Sequence, residues 1–214
     1  MTSIISVIRK PFRYTFKNAT LAIILINTAI FFLEKIFPQV QLYFSLNVYT
    51  CLGYKMFWQP FTYMFVHGSF SHVFFNMLGL FFFGLAVERA VGTKEFVLMY
   101  LLIGFAGGIF SLVFYWLFGM YGVFLMGASG AIYGILFSYA VLFPRNRVFI
   151  WGLIPVPAPI LVIAYAAIEF FDQFLSFKDG VAHSVHLAGF AFAFLYFIAR
   201  FGVNPIKVWK DAYR

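Results

Sequence analysis

The chain has 214 residues, of which 64% are hydrophobic and only 10% charged, with a mean hydropathy of +0.93. A soluble domain carries roughly 25% charged and roughly 45–50% apolar residues, so this chain lacks the polar surface to cover itself in water and reads as an all-α membrane protein. An outer-membrane barrel is excluded because its strands alternate apolar and polar, whereas runs such as Leu21–Leu33 do not. The formal charge of +8, from 15 Lys and Arg against 7 Asp and Glu, is explained better by membrane topology than by a nucleic-acid partner.

The first residues, 1–17, lack the short apolar core and small-residue cleavage site of a secretory signal and read as a basic tail. Apolar stretches cut at charges, Gly and Pro then predict six spans, at 20–37, 70–88, 95–117, 126–143, 156–173 and 183–201. At about 20 residues per crossing they account for most of the length. The reading is therefore one domain: tail 1–17, bundle 18–201 and tail 202–214. Between the first two spans, residues 38–69 are too polar to cross and too rich in Phe, Tyr and Trp to float in water, which places them at the membrane interface. The lone Cys51 can form no intrachain disulfide and is given no role.

Basic residues test the span count independently of hydropathy, because cytoplasmic loops hold an excess of Lys and Arg. The N-terminal tail (Arg9, Lys10, Arg13, Lys17), second loop (Arg89, Lys94), fourth loop (Arg145, Arg147) and C-terminal tail (Arg200, Lys207, Lys210, Arg214) hold 12 of the 15. Lys35, Lys55 and Lys178 fall on the opposite side. Both termini are thus expected in the cytoplasm, with an even number of spans.

Polar groups inside spans are costly and point to function. The four histidines form two pairs, His67 with His72 and His183 with His186, both expected toward the outer face. The segment Met126-Gly127-Ala128-Ser129-Gly130-Ala131 opens the fourth span at the same depth. A metalloprotease would need H-E-x-x-H on one helix, and no histidine here has that partner; a metal held by the histidines stays a weaker option. Aspartyl proteolysis needs paired carboxylates within spans, and Asp172, Asp179 and Asp211 are read as loop or tail residues. Gly-x-Ser-Gly at a helix start can present a nucleophilic hydroxyl beside unpaired N–H groups, although small residues also serve close helix packing in lipid. A histidine of another span could act as its base. His72 and Asn76, four apart on one helix face, could donate to a developing oxyanion.

These separated motifs, in this order, resemble the rhomboid intramembrane serine proteases. The second span carries H-x-x-x-N at His72 and Asn76, preceded by His67. The fourth carries G-x-S-G at Gly127, Ser129 and Gly130, with Tyr133 four residues on, and the sixth carries H-x-A-G at His186 and Gly189. Gly84, Glu88 and Gly92 match G-x-x-x-E-x-x-x-G at the end of the second span. The resemblance implies a six-transmembrane-helix rhomboid-like bundle and a Ser–His dyad without a third acid, with Ser129 as nucleophile and His186, rather than His183, as general base and acid. It further implies an oxyanion site made by the Ser129 backbone N–H, His72 and Asn76, with Tyr133 stacked on His186. Without a carboxylate partner, the imidazole is expected to be oriented by packing.

Gly189 and Ala193 would let the sixth span approach the fourth, and Glu88 is expected to be a structural hydrogen-bonding residue. Trp58-Gln59 stands where many relatives have Trp-Arg, so the arginine's loop-bracing contacts do not carry over. Glu169, placed near the inner end of the fifth span, is assigned only snorkelling or packing. The expected activity is cleavage of transmembrane segments of other membrane proteins, entering between the second and fifth spans, with no cofactor, metal or nucleic acid. The surroundings would be membrane lipid, in a bacterial plasma membrane to judge from the minimal length. The rival readings are a proteolytically inactive rhomboid-fold client binder, disfavoured because serine and histidine are both present, and a small His-lined transporter.

Overall fold

The computed structural model describes residues 4–150, 152–175 and 183–214; Lys178 and Asp179 of the fifth loop lie outside the described residues. Each predicted span becomes a helix: α1 Ala19–Ile36, α2 Phe70–Val91, α3 Thr93–Leu117, α4 Ser129–Leu142, α5 Ala158–Leu175 and α6 His183–Phe201. By length and composition α1, α2, α3 and α6 can each cross a bilayer. The chain is an integral membrane protein built as a helical bundle. Its large exposed side chains are largely Leu, Ile and Phe, as on α1 at Leu25 and Phe32 and on α5 at Ile160 and Ile163, the pattern of faces turned to lipid rather than water.

The fourth span is shorter than expected. It begins at Ser129 instead of 126 and has 14 residues, about 21 Å at 1.5 Å per residue, against a hydrocarbon core of about 30 Å. Nearly every position from Gly130 to Val141 is buried, so α4 is sheathed by its neighbours. The chain leading into it is irregular, with Gly127 at φ +113°, and several of its backbone groups are paired within the protein, as irregular backbone at membrane depth requires. Leu125 exchanges both backbone hydrogen bonds with Leu46, at 2.8 and 2.9 Å, and the Gly127 N–H donates to the Tyr63 carbonyl at 2.9 Å.

Glycine sets how closely α6 lies against α4. A Cβ on Gly189 would stand 2.1 Å from the Gly130 carbonyl oxygen, a separation only hydrogen permits. Ala193, one turn further along α6, is fully buried in the core.

The segment between α1 and α2 folds into short helical turns, at Gln39–Phe44, Tyr49–Gly53 and Gln59–Thr62. Gln59 is buried at its centre. Its Oε1 accepts from Thr50 Oγ1 at 2.9 Å and the Asn47 N–H at 3.3 Å, and its Nε2 donates to the Tyr43 carbonyl at 3.3 Å. The amide therefore braces the loop although it is not the arginine of the relatives.

Two departures from the expected organisation appear between α4 and α6. A small antiparallel hairpin, β1 Arg147–Ile150 with β2 Ile154–Pro157, joins α4 to α5, so the all-α class holds apart from this turn. Asp172, expected in a loop, lies in the last turns of α5.

At the other end of the bundle the tails dock. Arg9 donates to the Ala199 and Ile198 carbonyls at 3.2 and 3.1 Å, placing positive charge at the C-terminus of α6 where the helix dipole favours it. Trp209 of the C-terminal helix α7 (Pro205–Ala212) donates to the Ala140 carbonyl at 2.9 Å.

Glu88 joins three helices. Fully buried, its carboxylate accepts from the Ala19 and Thr20 N–H groups at 2.8 and 2.9 Å, Thr20 Oγ1 at 2.7 Å and Thr93 Oγ1 at 2.6 Å. It thereby ties the orphan donors at the start of α1 to the α2–α3 junction.

Candidate active site

Three helix beginnings meet at one depth: α2 at Phe70, α4 at Ser129 and α6 at His183. Ser129 is the first residue of α4, where N–H groups have no intrahelical acceptor. The close α4–α6 contact brings His186 Nε2 to 2.7 Å from Ser129 Oγ. Tyr133, one turn along α4, lies flat on the imidazole, with ring centroids 4.2 Å apart and planes within 5°.

The irregular approach to Ser129 packs against the first histidine pair, His67 and His72. Gly127 has φ +113°, and a Cβ there would stand 2.5 Å from His72 Nε2, so glycine is required both by the backbone and by the ring. The next N–H, of Ala128, donates to His67 Nε2 at 3.3 Å. His67 is itself buried edge-on against His72, at 5.1 Å between centroids, and its backbone N–H donates to the Glu34 carboxylate at 3.1 Å. Asn76 Nδ2 donates to the His72 carbonyl one turn earlier at 2.8 Å.

His72, Asn76, Ser129 and Tyr133 all line one cavity of about 780 Å³. Its apolar walls come from α2 (Phe75, Phe82) and α5 (Leu161, Tyr165), and Phe149 of the hairpin contributes as well. The histidines, serine and asparagine singled out in the sequence therefore gather at this site.

One expectation fails here. The far side of His186 is not held by packing alone: the Glu169 carboxylate lies there, with Oε1 3.0 Å from His186 Nδ1 and Oε2 2.6 Å from His183 Nδ1. Tyr133 also donates its hydroxyl to Glu169 Oε1 in a short hydrogen bond. Glu169 is thus not near the inner end of its span, nor does it snorkel. Helix α5 runs toward the face where α6 begins, so its late residues level with the first turn of α6. The sequence did carry a signal, an ionisable residue within an apolar span in the helix that leads to the histidine pair. Glu169, His183 and His186 offer ligand atoms within 4.8 Å of one another, so these three could also hold a metal ion.

The Rhomboid domain profile matches residues 54–202. The chain belongs to the rhomboid family. Among curated rhomboid proteins, RHOMBOID-like protein 4 of Arabidopsis thaliana is 30% identical over 138 residues, covering 64% of this chain and 32% of that protein. The rhomboid protease AarA of Providencia stuartii is 29% identical over 135 residues, covering 54% of this chain and 47% of AarA. The rhomboid protease GluP of Bacillus subtilis is 39% identical over 90 residues, covering 42% of this chain and 17% of GluP. This rhomboid chain therefore spans less than half the length of each. Similar proteins occur in bacteria, a plant and yeast mitochondria, so the likeness carries membrane residence and not one particular membrane.

Proposed function

We propose that this rhomboid is an intramembrane serine endopeptidase that cuts transmembrane segments of other membrane proteins. The observation that carries the reading is the 2.7 Å contact between Ser129 Oγ and His186 Nε2, with Ser129 on the wall of a cavity open between α2 and α5. Ser129 Oγ attacks the scissile carbonyl carbon as its proton passes to His186 Nε2. The oxyanion is met by the Ser129 backbone N–H, His72 and the second amide hydrogen of Asn76. His186 then gives its proton to the leaving amine, and a water deprotonated by the same nitrogen releases the acyl group. A substrate helix must unwind to expose its amide, so small or helix-breaking residues at the cut are expected.

The apolar walls suit a substrate arriving from lipid between α2 and α5. The basic residues of the two tails and of the second and fourth loops support cytoplasmic termini, which puts the site toward the outer face, within residues 18–201 as one functional unit. The test is cleavage of a reporter transmembrane substrate by the purified protein in liposomes, beside Ser129→Ala and His186→Ala. Both variants are expected to fall to background. Equal cleavage by Ser129→Ala, or fluorophosphonate labelling at another residue, overturns the reading. Loss of activity in His183→Ala with His186→Ala unaffected would reverse the choice of base.

A further inference from the structure

Glu169 is an ionisable side chain near the proposed nucleophile that this mechanism does not use, and it sits where lipid-facing residues prevail. Its neighbours Ile168 and Phe170 are 53% and 52% exposed, whereas Glu169 is 5% exposed. A carboxylate turned into the bundle must be compensated by partners, and this one has three. Oε2 is 2.6 Å from His183 Nδ1, Oε1 accepts the Tyr133 hydroxyl, and Oε1 is 3.0 Å from His186 Nδ1. His183 and Tyr133 thus clamp the carboxylate against the edge of the His186 ring opposite Ser129.

We propose that Glu169 is a positioning residue for His186, so that Ser129, His186 and Glu169 form a three-membered relay, with His183 and Tyr133 fixing the carboxylate. The proposal rests on the serine-protease reading above. For His186 to take the Ser129 proton, Nε2 must present its lone pair and Nδ1 must carry the hydrogen. A carboxylate beside Nδ1 favours that tautomer over the reverse one, as an acid does behind a catalytic histidine. The contact is too bent for a regular hydrogen bond, and Nδ1 has no other hydrogen-bond partner among the described residues. The carboxylate therefore acts mainly through its charge. When the proton moves from Ser129 Oγ to Nε2, the imidazolium forms with a negative group 3.0 Å from its other nitrogen; Glu169 takes up no proton.

The experiment compares Glu169→Gln, Glu169→Asp and Ser129→Ala with the wild type in liposomes, reading kcat and KM on a reporter substrate, fluorophosphonate labelling rate and Tm. Gln keeps the shape and removes the charge. The relay predicts that Glu169→Gln lowers kcat and labelling rate at least about tenfold, with KM and Tm near wild type, and that Glu169→Asp retains more activity than Glu169→Gln. Wild-type kcat and labelling in Glu169→Gln, with Ser129→Ala inactive, overturns the relay and leaves the protease reading standing. Should Glu169→Gln fail to fold, wild-type kcat and labelling in a folded Glu169→Leu overturn it instead. Loss of wild-type activity on chelation, restored by zinc, assigns the three side chains to a metal and overturns the relay. A wild type that neither cuts nor labels at Ser129 overturns both proposals.

Discussion

The most exposed weakness of the proposed dyad is its dependence on a missing side chain. Gly189→Ala adds one methyl group, and that Cβ would stand 2.1 Å from the Gly130 oxygen and 3.2 Å from the Gly130 carbonyl carbon, where ordinary contact begins at 3.4 Å. Both colliding partners are backbone, so no rotamer change relieves them. The helices must separate by up to about 1.3 Å, and overpacking of this kind costs about 1–3 kcal/mol. If α6 takes up even about 1 Å, the 2.7 Å contact between Ser129 and His186 opens to about 3.7 Å, beyond hydrogen bonding. A misplacement of about 1 Å in catalytic geometry costs about a hundredfold in rate. The assay is reporter cleavage and fluorophosphonate labelling in liposomes, with Tm measured in parallel. Gly122→Ala is the control, since a Cβ there meets nothing within 4 Å. We expect Gly189→Ala to lose at least about a hundredfold in both readouts while still folding, and Gly122→Ala to match wild type. Near-wild-type labelling of Gly189→Ala would refute the claim that helix separation governs the dyad.

Two further outcomes concern stability. Glu88→Ala strands four donors that the carboxylate now satisfies; at about 1–3 kcal/mol for each buried unsatisfied group, the loss is at least about 4 kcal/mol. That corresponds to roughly 8–16 °C in Tm for a chain of this size, and a change within about 2 °C would show the junction to be held by other contacts. His67 lies outside the spans, and burial, aided by His72 beside it, pushes its imidazole from the ordinary 6.5 down to about 3. The unfolded chain therefore takes up this proton first. The stability contributed by the neutral ring is complete above about pH 6.5 and drains as the pH falls from there toward 3. In His67→Gln, whose side-chain oxygen can still accept the Ala128 N–H, the decline of Tm on that acid side should flatten; an unchanged acid slope would place its origin in other groups.

Much of this molecule was legible before folding because lipid imposes a simple code. A span needs an unbroken apolar run, and Ala19–Ile36, Phe70–Val91 and Thr93–Leu117 fall where hydropathy alone put them, within a few residues. Local spacing also foretold that Ser129 and Tyr133 share a helix face, as do His72 and Asn76, since a turn of helix fixes such pairs. The start of α4 was misjudged because Met126–Ala128 is apolar and small yet not helical, its conformation set by Leu46, Tyr63 and His67, which are distant in sequence. Gln59 was doubted because it differs from the arginine of relatives, but its bracing role depends on which loop groups surround it, not on its own identity.

Glu169 marks the boundary between the two kinds of information. Its sequence shows that a carboxylate sits within an apolar helix and therefore needs partners, because an unpaired charge in such surroundings is expensive. Which partners it has depends on the register of α5 against α6 and on how far Gly189 lets α6 approach α4. Those are relations between helices that share no local periodicity. Composition and spacing by themselves determined the solvent, the number of spans and the residues able to do chemistry. Tertiary packing alone decided that the histidine beside the serine also has a carboxylate behind it.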